Sequence, residues 1–201
     1  MNTSITPLVL ASASPRRVEL LKQIGITPIV HPVNIDETPE VGERVTDLVS
    51  RLAIEKAQQG ALETDQKYPV IGSDTVGLLD GNVLLKPVDY TDAESMLLNM
   101  SNRWHEIHTS VALIHDENCY QTTAISRVKF REIKAAEINN YWHTGEPQDK
   151  AGAYAVQGLA AVFIERIEGS YSGIMGLPLF ETAQLMREAG LPYANFMSGE
   201  S

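Results

Sequence analysis

The spacing of hydrophobic positions changes several times along the chain, and each change predicts an element. Leu8-Val9-Leu10 followed by Ala11-Ser12-Ala13 is a short apolar run ending in small residues, the signature of a buried strand entering a tight loop. Ser14 suits an N-cap and Pro15 the first position of a helix, with Val18, Leu21 and Ile24 inward and Gly25 at its end. Ile26 to Val33 reads as a second strand, confined to an edge by Pro28 and Pro32, ahead of an acidic loop over 34–39. The clearest helical period runs from Arg44 to Leu62, with Val45, Leu48, Val49, Leu52 and Ala53 on one stripe. Lys56 continues that inward stripe. Its stem could cover apolar surface with the ammonium in water, or it could be a cation held at a cleft wall, and spacing alone leaves both open.

Further on, Tyr68 to Val76 predicts a strand broken at Gly72-Ser73, and Val76 to Leu79 resumes it. Asp80-Gly81 is a hairpin turn leading back through Val83-Leu84-Leu85. Thr91-Asp92-Ala93-Glu94 has capping-box spacing and opens a helix through Met96, Leu97 and Met100. Two strands between Trp104 and Arg131 flank a polar turn near 115–118, and Lys134 to His143 is a helix stopped by Gly145. A polar glycine-bearing loop spans Gln148 to Tyr154, and Ala160 to Arg166 looks strand-like. After Gly176-Leu177-Pro178 comes a last helix with Leu179, Ala183, Met186 and Ala189 inward, then a loose tail. Strands and helices alternate early and hairpins fill the middle, so the expected class is α/β with a mixed sheet.

Composition narrows the partners. The chain has 201 residues and a formal net charge of −10. Without an extended basic face it is not expected to bind polymeric nucleic acid, although a small anion in a local basic pocket is compatible. The single Cys119 cannot form an internal disulfide, and no Cys/His cluster suggests structural zinc. No stretch resembles a signal peptide or is apolar for long enough to span a membrane, so a cytoplasmic protein without membrane contact is expected.

The candidate chemistry begins at the first helix. Helix N-termini favour acidic side chains, so Arg16 and Arg17 there incur a like-charge cost of a few tenths to ~1 kcal/mol each. A bound anion reverses that sign, because the free N–H groups and two guanidinium forks then face it. Asp74 is equally out of place, since aspartate is depleted in strands. Phosphate-loop, dinucleotide-binding and nucleophile-elbow motifs are all missing from the sequence. His105-Glu106-Ile107-His108 is one residue short of a zinc-protease helix motif, and on a strand the two histidines point to opposite sides. Both are read as structural or surface residues. What remains is a dispersed set: Ser12, Ser14, Arg16 and Arg17, the carboxylates Glu37 and Asp74, and Lys56 and Lys86. These types suit phosphate chemistry assisted by Mg²⁺ or Mn²⁺. At an effective dielectric near 20, one cation about 4 Å from a phosphate oxygen contributes on the order of 4 kcal/mol before desolvation.

At these residues the sequence resembles the Maf family of nucleoside triphosphate pyrophosphatases. The matching stretches are Leu10 to Arg17, Asp36-Glu37, Arg51 to Ala57, Gly72-Ser73-Asp74-Thr75, Lys86-Pro87, Gly145-Glu146-Pro147, Asp149 to Tyr154, Gln157-Gly158 and Gly176 to Leu179. The resemblance implies a single elongated, two-lobed α/β domain over 1–201, with a mixed, bent β-sheet flanked by helices and a central cleft (Maf/ITPase-like). It also implies hydrolysis between the α and β phosphates of a nucleoside triphosphate, a divalent metal, and commonly a homodimer. Matched position by position, Asp74 is the proton acceptor. Ser14, Arg17, Glu37, Lys56 and Lys86 are further polar site residues, with Glu37 and Asp74 at the metal and Ser12 in the phosphate loop. Arg16, Thr75 and Gln157 look like the base-selecting positions of the subgroup acting on dTTP and UTP. A Gln amide offers a donor and an acceptor, matching the imide N–H and carbonyl of uracil or thymine. The alternative to an enzyme is a nucleotide-binding regulator linked to cell division with little turnover. A positioned base such as Asp74 favours the enzyme.

Overall fold

Strand β1 (Val9–Leu10) is wholly buried and pairs in parallel with β2 (Ile29–Val30) on one side and β3 (Val70–Leu79) on the other. The structure, a computed structural model, describes residues 7–192. Between β1 and β2 runs helix α1 (Pro15–Gln23), which buries Leu20 and Leu21. The second strand is much shorter than the sequence predicts. Pro28 and Pro32 bracket it, and each lacks a ladder N–H, so pairing stops at two residues exposed on the sheet edge.

Helix α2 (Val45–Glu63) falls where the stripe predicts, with Leu48, Val49, Leu52 and Ala53 buried. The break expected at Gly72-Ser73 does not occur: β3 is continuous from Val70 to Leu79. Gly72 serves proximity instead. A Cβ there would stand 2.3 Å from the Ala53 carbonyl oxygen and 2.5 Å from the Ala57 nitrogen, so α2 lies directly on the strand. The Asp80-Gly81 hairpin forms, both residues with positive φ (51° and 78°), leading into β4 (Asn82–Leu84).

Helix α3 (Tyr90–Met100) starts earlier than the Thr91 capping box predicts. Asp89 is the cap, its carboxylate accepting the Asp92 N–H at 2.9 Å, and an ionised acceptor suits the positive helix end. Strands β5 (Trp104–His115) and β6 (Asn118–Phe130) flank the predicted turn, and α4 (Ala135–Trp142) follows. The strand expected over 160–166 begins later. Leu159–Phe163 is a 3₁₀ turn, and β7 (Ile164–Glu168) pairs antiparallel with β6. The short helix α5 (Tyr171–Met175) precedes α6 (Leu179–Glu188). The inner face of α6 is Thr182, Leu185 and Met186, rotated from the face predicted. The Thr182 hydroxyl donates to the Pro178 carbonyl at 2.7 Å, which lets a polar residue occupy the interior. Of the expected tail, residues 193–201 lie outside the described residues.

The sheet is mixed and seven-stranded, in the order β2-β1-β3-β5-β6-β7 with β4 on β3. Contacts divide the chain into two compact units. One takes the chain up to Thr75, Thr109–Ala124 and the residues from Gly176; the other takes Val76–His108 and Ile125–Met175. Strands β3, β5 and β6 contribute to both. The first unit has an apolar cluster of Val9, Ala11, Ala61 and Val70, and the second a larger one that includes Leu97, Met100, Phe130, Ile138 and Phe163.

Both histidines of the 105–108 stretch are buried on β5, so the structural reading holds and the surface one does not. His105 packs edge-on to Phe130 and Tyr154, and its Nε2 lies 2.8 Å from the Tyr154 hydroxyl. Burial lowers its pKa from the ordinary 6.5 to about 4. The unfolded chain therefore binds a proton first as pH falls. This contribution is fully present above pH 6.5 and is lost between there and about pH 4, amounting to about 3 kcal/mol at most. Thermal melts from pH 7 to 4 should show a steeper loss for the native protein than for His105→Gln, whose amide does not titrate.

Candidate active site

The first unit gathers most of the sequence-predicted residues around the junction of β1, α1, α2 and β3. Asp74 is placed by its strand. It lies two residues from Gly72, hence on the same face of β3, where the missing Cβ lets α2 come close. That approach brings Lys56 Nζ to 2.7 Å from Asp74 Oδ1, both side chains only 11% exposed. The same ammonium lies 2.8 Å from Glu37 Oε1, on the acidic loop. Lys56 is therefore a cation between two carboxylates. It does not reach into water over an apolar stem.

The loop carrying Glu37 is fastened from α2. Arg51 Nε and Nη2 donate to the two Glu43 carboxylate oxygens at 2.8 and 2.9 Å, and Nη2 also donates to the Thr38 carbonyl at 3.1 Å. Asp36 Oδ1 accepts the Thr38 N–H at 2.9 Å, tightening the turn around Glu37. The Arg51 guanidinium and the Glu40 N–H hold the Glu43 carboxyl down to about 2. That fastening is present above the ordinary 4.5 and is lost only as pH falls toward 2. Arg51→Ala should release the loop, and faster amide exchange over 36–43 at neutral pH is the measurement that checks it.

Ser14 occupies the N-cap position of α1, but its side chain makes no capping bond, which corrects the expectation. The hydroxyl at work is two residues back: Ser12 Oγ accepts the Ser14 N–H at 3.2 Å and Arg17 Nη1 at 3.0 Å. Arg17 Nε donates to the Gly176 carbonyl at 2.8 Å. Two anchors thus fix the guanidinium plane, while the Ser14 side chain leaves the start of α1 uncapped. Burial lowers the pKa of Arg17. Asp74 and Glu37 oppose that shift and Arg16, half-buried beside it, adds to it. The guanidinium stays charged.

Thr75 follows Asp74 on β3, and its hydroxyl receives a hydrogen bond from Thr109 Oγ1 at 3.1 Å. Gly176 adjoins both Arg17 and Thr75. A Cβ on it would lie 3.5 Å from Arg17 Nε and 3.7 Å from Thr75 Oγ1. Buried Ser73 Oγ is 2.9 Å from the Gly176 carbonyl and 2.7 Å from that of Ser110, tying β3 to the same loop. In the sequence Gly176 stands out only as the lead-in to the last helix and as part of a matching stretch, and Arg51, Glu43 and Ser73 have no evident role. Their signal in sequence was faint because each acts through a backbone carbonyl or a second charge far away in the chain.

The grouping is confined to the first unit. Lys86 and Gln157 belong to the second, both exposed. Lys86 follows Leu85, whose carbonyl accepts the Gly152 N–H at 2.9 Å, and Gln157 sits at a turn closed by Gly158 N–H to Ala155 O at 3.0 Å. Among the described residues no three His, Cys, Asp or Glu side chains cluster as a self-sufficient metal cage, and no helix is long and apolar enough to cross a membrane.

Two comparisons bear on this α/β architecture with an uncapped, arginine-bearing helix start opposite paired carboxylates. The profile of the family described as Maf-like protein matches residues 7–189. A dTTP/UTP pyrophosphatase from Hahella chejuensis is 50% identical over 92% of this chain and 92% of its own length. Proteins of the same name from Bordetella avium and Methylobacillus flagellatus are each 47% identical, over 92% and 95% of this chain and 96% of theirs. The chain belongs to the Maf family.

Proposed function

We propose that this chain is a nucleoside triphosphate pyrophosphatase that hydrolyses dTTP and UTP between the α and β phosphates, releasing the monophosphate and pyrophosphate. The observation that carries the reading is Asp74 and Glu37 converging on Lys56, with Arg17 fixed by Ser12 and Gly176 at an open helix start. The substrates are those in the names of its relatives.

In this mechanism Ser14, Ser12 and the first-turn N–H groups of α1 receive phosphate oxygens, and Arg17 adds its Nη2 donors. Asp74 accepts the proton of the attacking water as oxygen bonds to phosphorus and the bond to the departing pyrophosphate breaks. Lys56 orients that carboxylate and, with Arg17 and Lys86, offsets the charge building on the leaving oxygens.

A divalent cation is part of the proposal. Two carboxylates that already meet at one cation suit Mg²⁺ or Mn²⁺, which commonly take one or two protein carboxylates and fill the remaining positions with phosphate oxygens and water. Glu37 and Asp74 would hold it, and when bound it supplies charge neutralisation and a more acidic water. Chelation should abolish pyrophosphate release and added Mg²⁺ or Mn²⁺ should restore it; full activity in excess chelator would exclude the metal. The enzyme is further proposed to be a cytoplasmic homodimer, with light scattering in solution as the check on its size.

Arg16, Thr75 and Gln157 are proposed to select the base. A pyrophosphate-release assay across natural and modified nucleoside triphosphates tests the function directly. Release of orthophosphate alone would make the protein a different kind of phosphatase. Gln157→Glu replaces a donor-acceptor amide with an acceptor-only group, so dTTP and UTP turnover should fall by about tenfold or more. Unchanged preference would remove Gln157 from the base-reading set.

A further inference from the structure

The backbone just after the turn bearing Gln157 is held by a carboxylate. Glu146 lies in the 3₁₀ turn Glu146–Asp149, preceded by Gly145 in left-handed conformation at the end of α4. Its Oε2 accepts the Leu159 N–H at 2.9 Å and its Oε1 the Ala160 N–H at 3.3 Å, the two amides that immediately follow the Gln157-Gly158 turn. Tyr141, buried on α4, donates its hydroxyl to Oε1 at 2.8 Å and so fixes the carboxylate from the other side. Burial and the Glu146 charge both push the Tyr141 pKa up, keeping it a donor.

Gly158 completes the arrangement. Its φ of −104° is open to any residue, so backbone conformation does not demand glycine. A Cβ there, however, would stand 2.3 Å from Glu146 Oε2 and 2.4 Å from Oε1. The glycine leaves room for the carboxylate and for nothing else.

We propose that Glu146 is a positioning residue for base selection: by bonding the amides next to the turn it fixes where the Gln157 side chain stands. This rests on the reading that Gln157 meets the base. Hydrogen bonds on one side of a two-residue turn restrict the backbone torsions that aim its side chain, and an amide reader loses discrimination once its donor and acceptor can wander.

The test uses the full chain and measures kcat and KM separately for UTP and CTP, whose bases differ at the edge an amide would read. Glu146→Ala should lower the UTP/CTP ratio of kcat/KM by about tenfold, mainly through a higher KM for UTP. Glu146→Gln, which keeps an acceptor oxygen, should fall between that and the native ratio. Gly158→Ala should mimic Glu146→Ala by expelling the carboxylate, and the double variant should be no worse than Glu146→Ala alone, because both act through one contact. Amide exchange at Leu159 and Ala160 should quicken in each while the core strands keep their protection, and that retained protection shows the variants remain folded. If Glu146→Ala keeps the native ratio while Gln157→Ala lowers it, the positioning role is wrong and base reading by Gln157 stands. If Gln157→Ala also leaves the ratio unchanged, base reading by Gln157 falls and this inference falls with it.

Discussion

Replacing Asp74 by Asn should reduce pyrophosphate release by about 10²- to 10⁴-fold, the range a positioned proton acceptor contributes, while leaving the protein folded. The amide is nearly isosteric with the carboxylate and retains an oxygen that can accept from Lys56. Lys56 also keeps Glu37 at 2.8 Å, so no cation is stranded. Binding of a non-hydrolysable dTTP analogue should persist, because the groups on α1 proposed to hold phosphate are untouched. Turnover, analogue binding and thermal melting on the same preparation separate the outcomes. A variant with native turnover would remove Asp74 from the chemistry, and one that fails to melt cooperatively would mean the carboxylate is structural.

The second large effect is on stability. Gly72→Ala places a methyl 2.3 Å from the Ala53 carbonyl oxygen and 2.5 Å from the Ala57 nitrogen, both backbone atoms of α2 that no rotamer change can move. The helix has to lift off β3, and overpacking of this kind costs about 3 kcal/mol or more. Denaturant unfolding at neutral pH measures it. Activity should fall alongside, because lifting α2 lengthens the 2.7 Å bond between Lys56 and Asp74. A Gly72→Ala protein with native stability would mean that the helix and strand are not in the contact described.

These two residues are neighbours in sequence and in purpose. Gly72 contributes nothing chemically; it sets the height at which α2 rides over the sheet, and therefore whether an ammonium on α2 can reach a carboxylate on β3. Ser73 between them points into the interior and secures the Gly176 loop, which in turn anchors Arg17. One strand thus supplies the proposed proton acceptor, the spacing for its cation and, through a carbonyl, the orientation of the guanidinium.

Sequence by itself determined the elements whose cause is local. The α2 stripe, the Asp80-Gly81 hairpin, the two long strands over 104–130 and the odd placement of Arg16, Arg17 and Asp74 are all set by residues within a few positions of one another. The resemblance carried by Leu10 to Arg17 and Gly72 to Thr75 extended this to the family. Tertiary structure decided what depends on groups far apart in the chain. Gly72 reads as a break until the helix on top of it is seen, and Ser14 reads as a cap until Ser12 is found bonded to Arg17. The stretch from Ala160 reads as a strand until Glu146, fourteen positions earlier, is found holding its first N–H. Lys56 was undecided by periodicity because a helical stripe states which way a side chain points, not what it meets. Its two carboxylates come from other segments, and only folding brings those charges within reach of one ammonium.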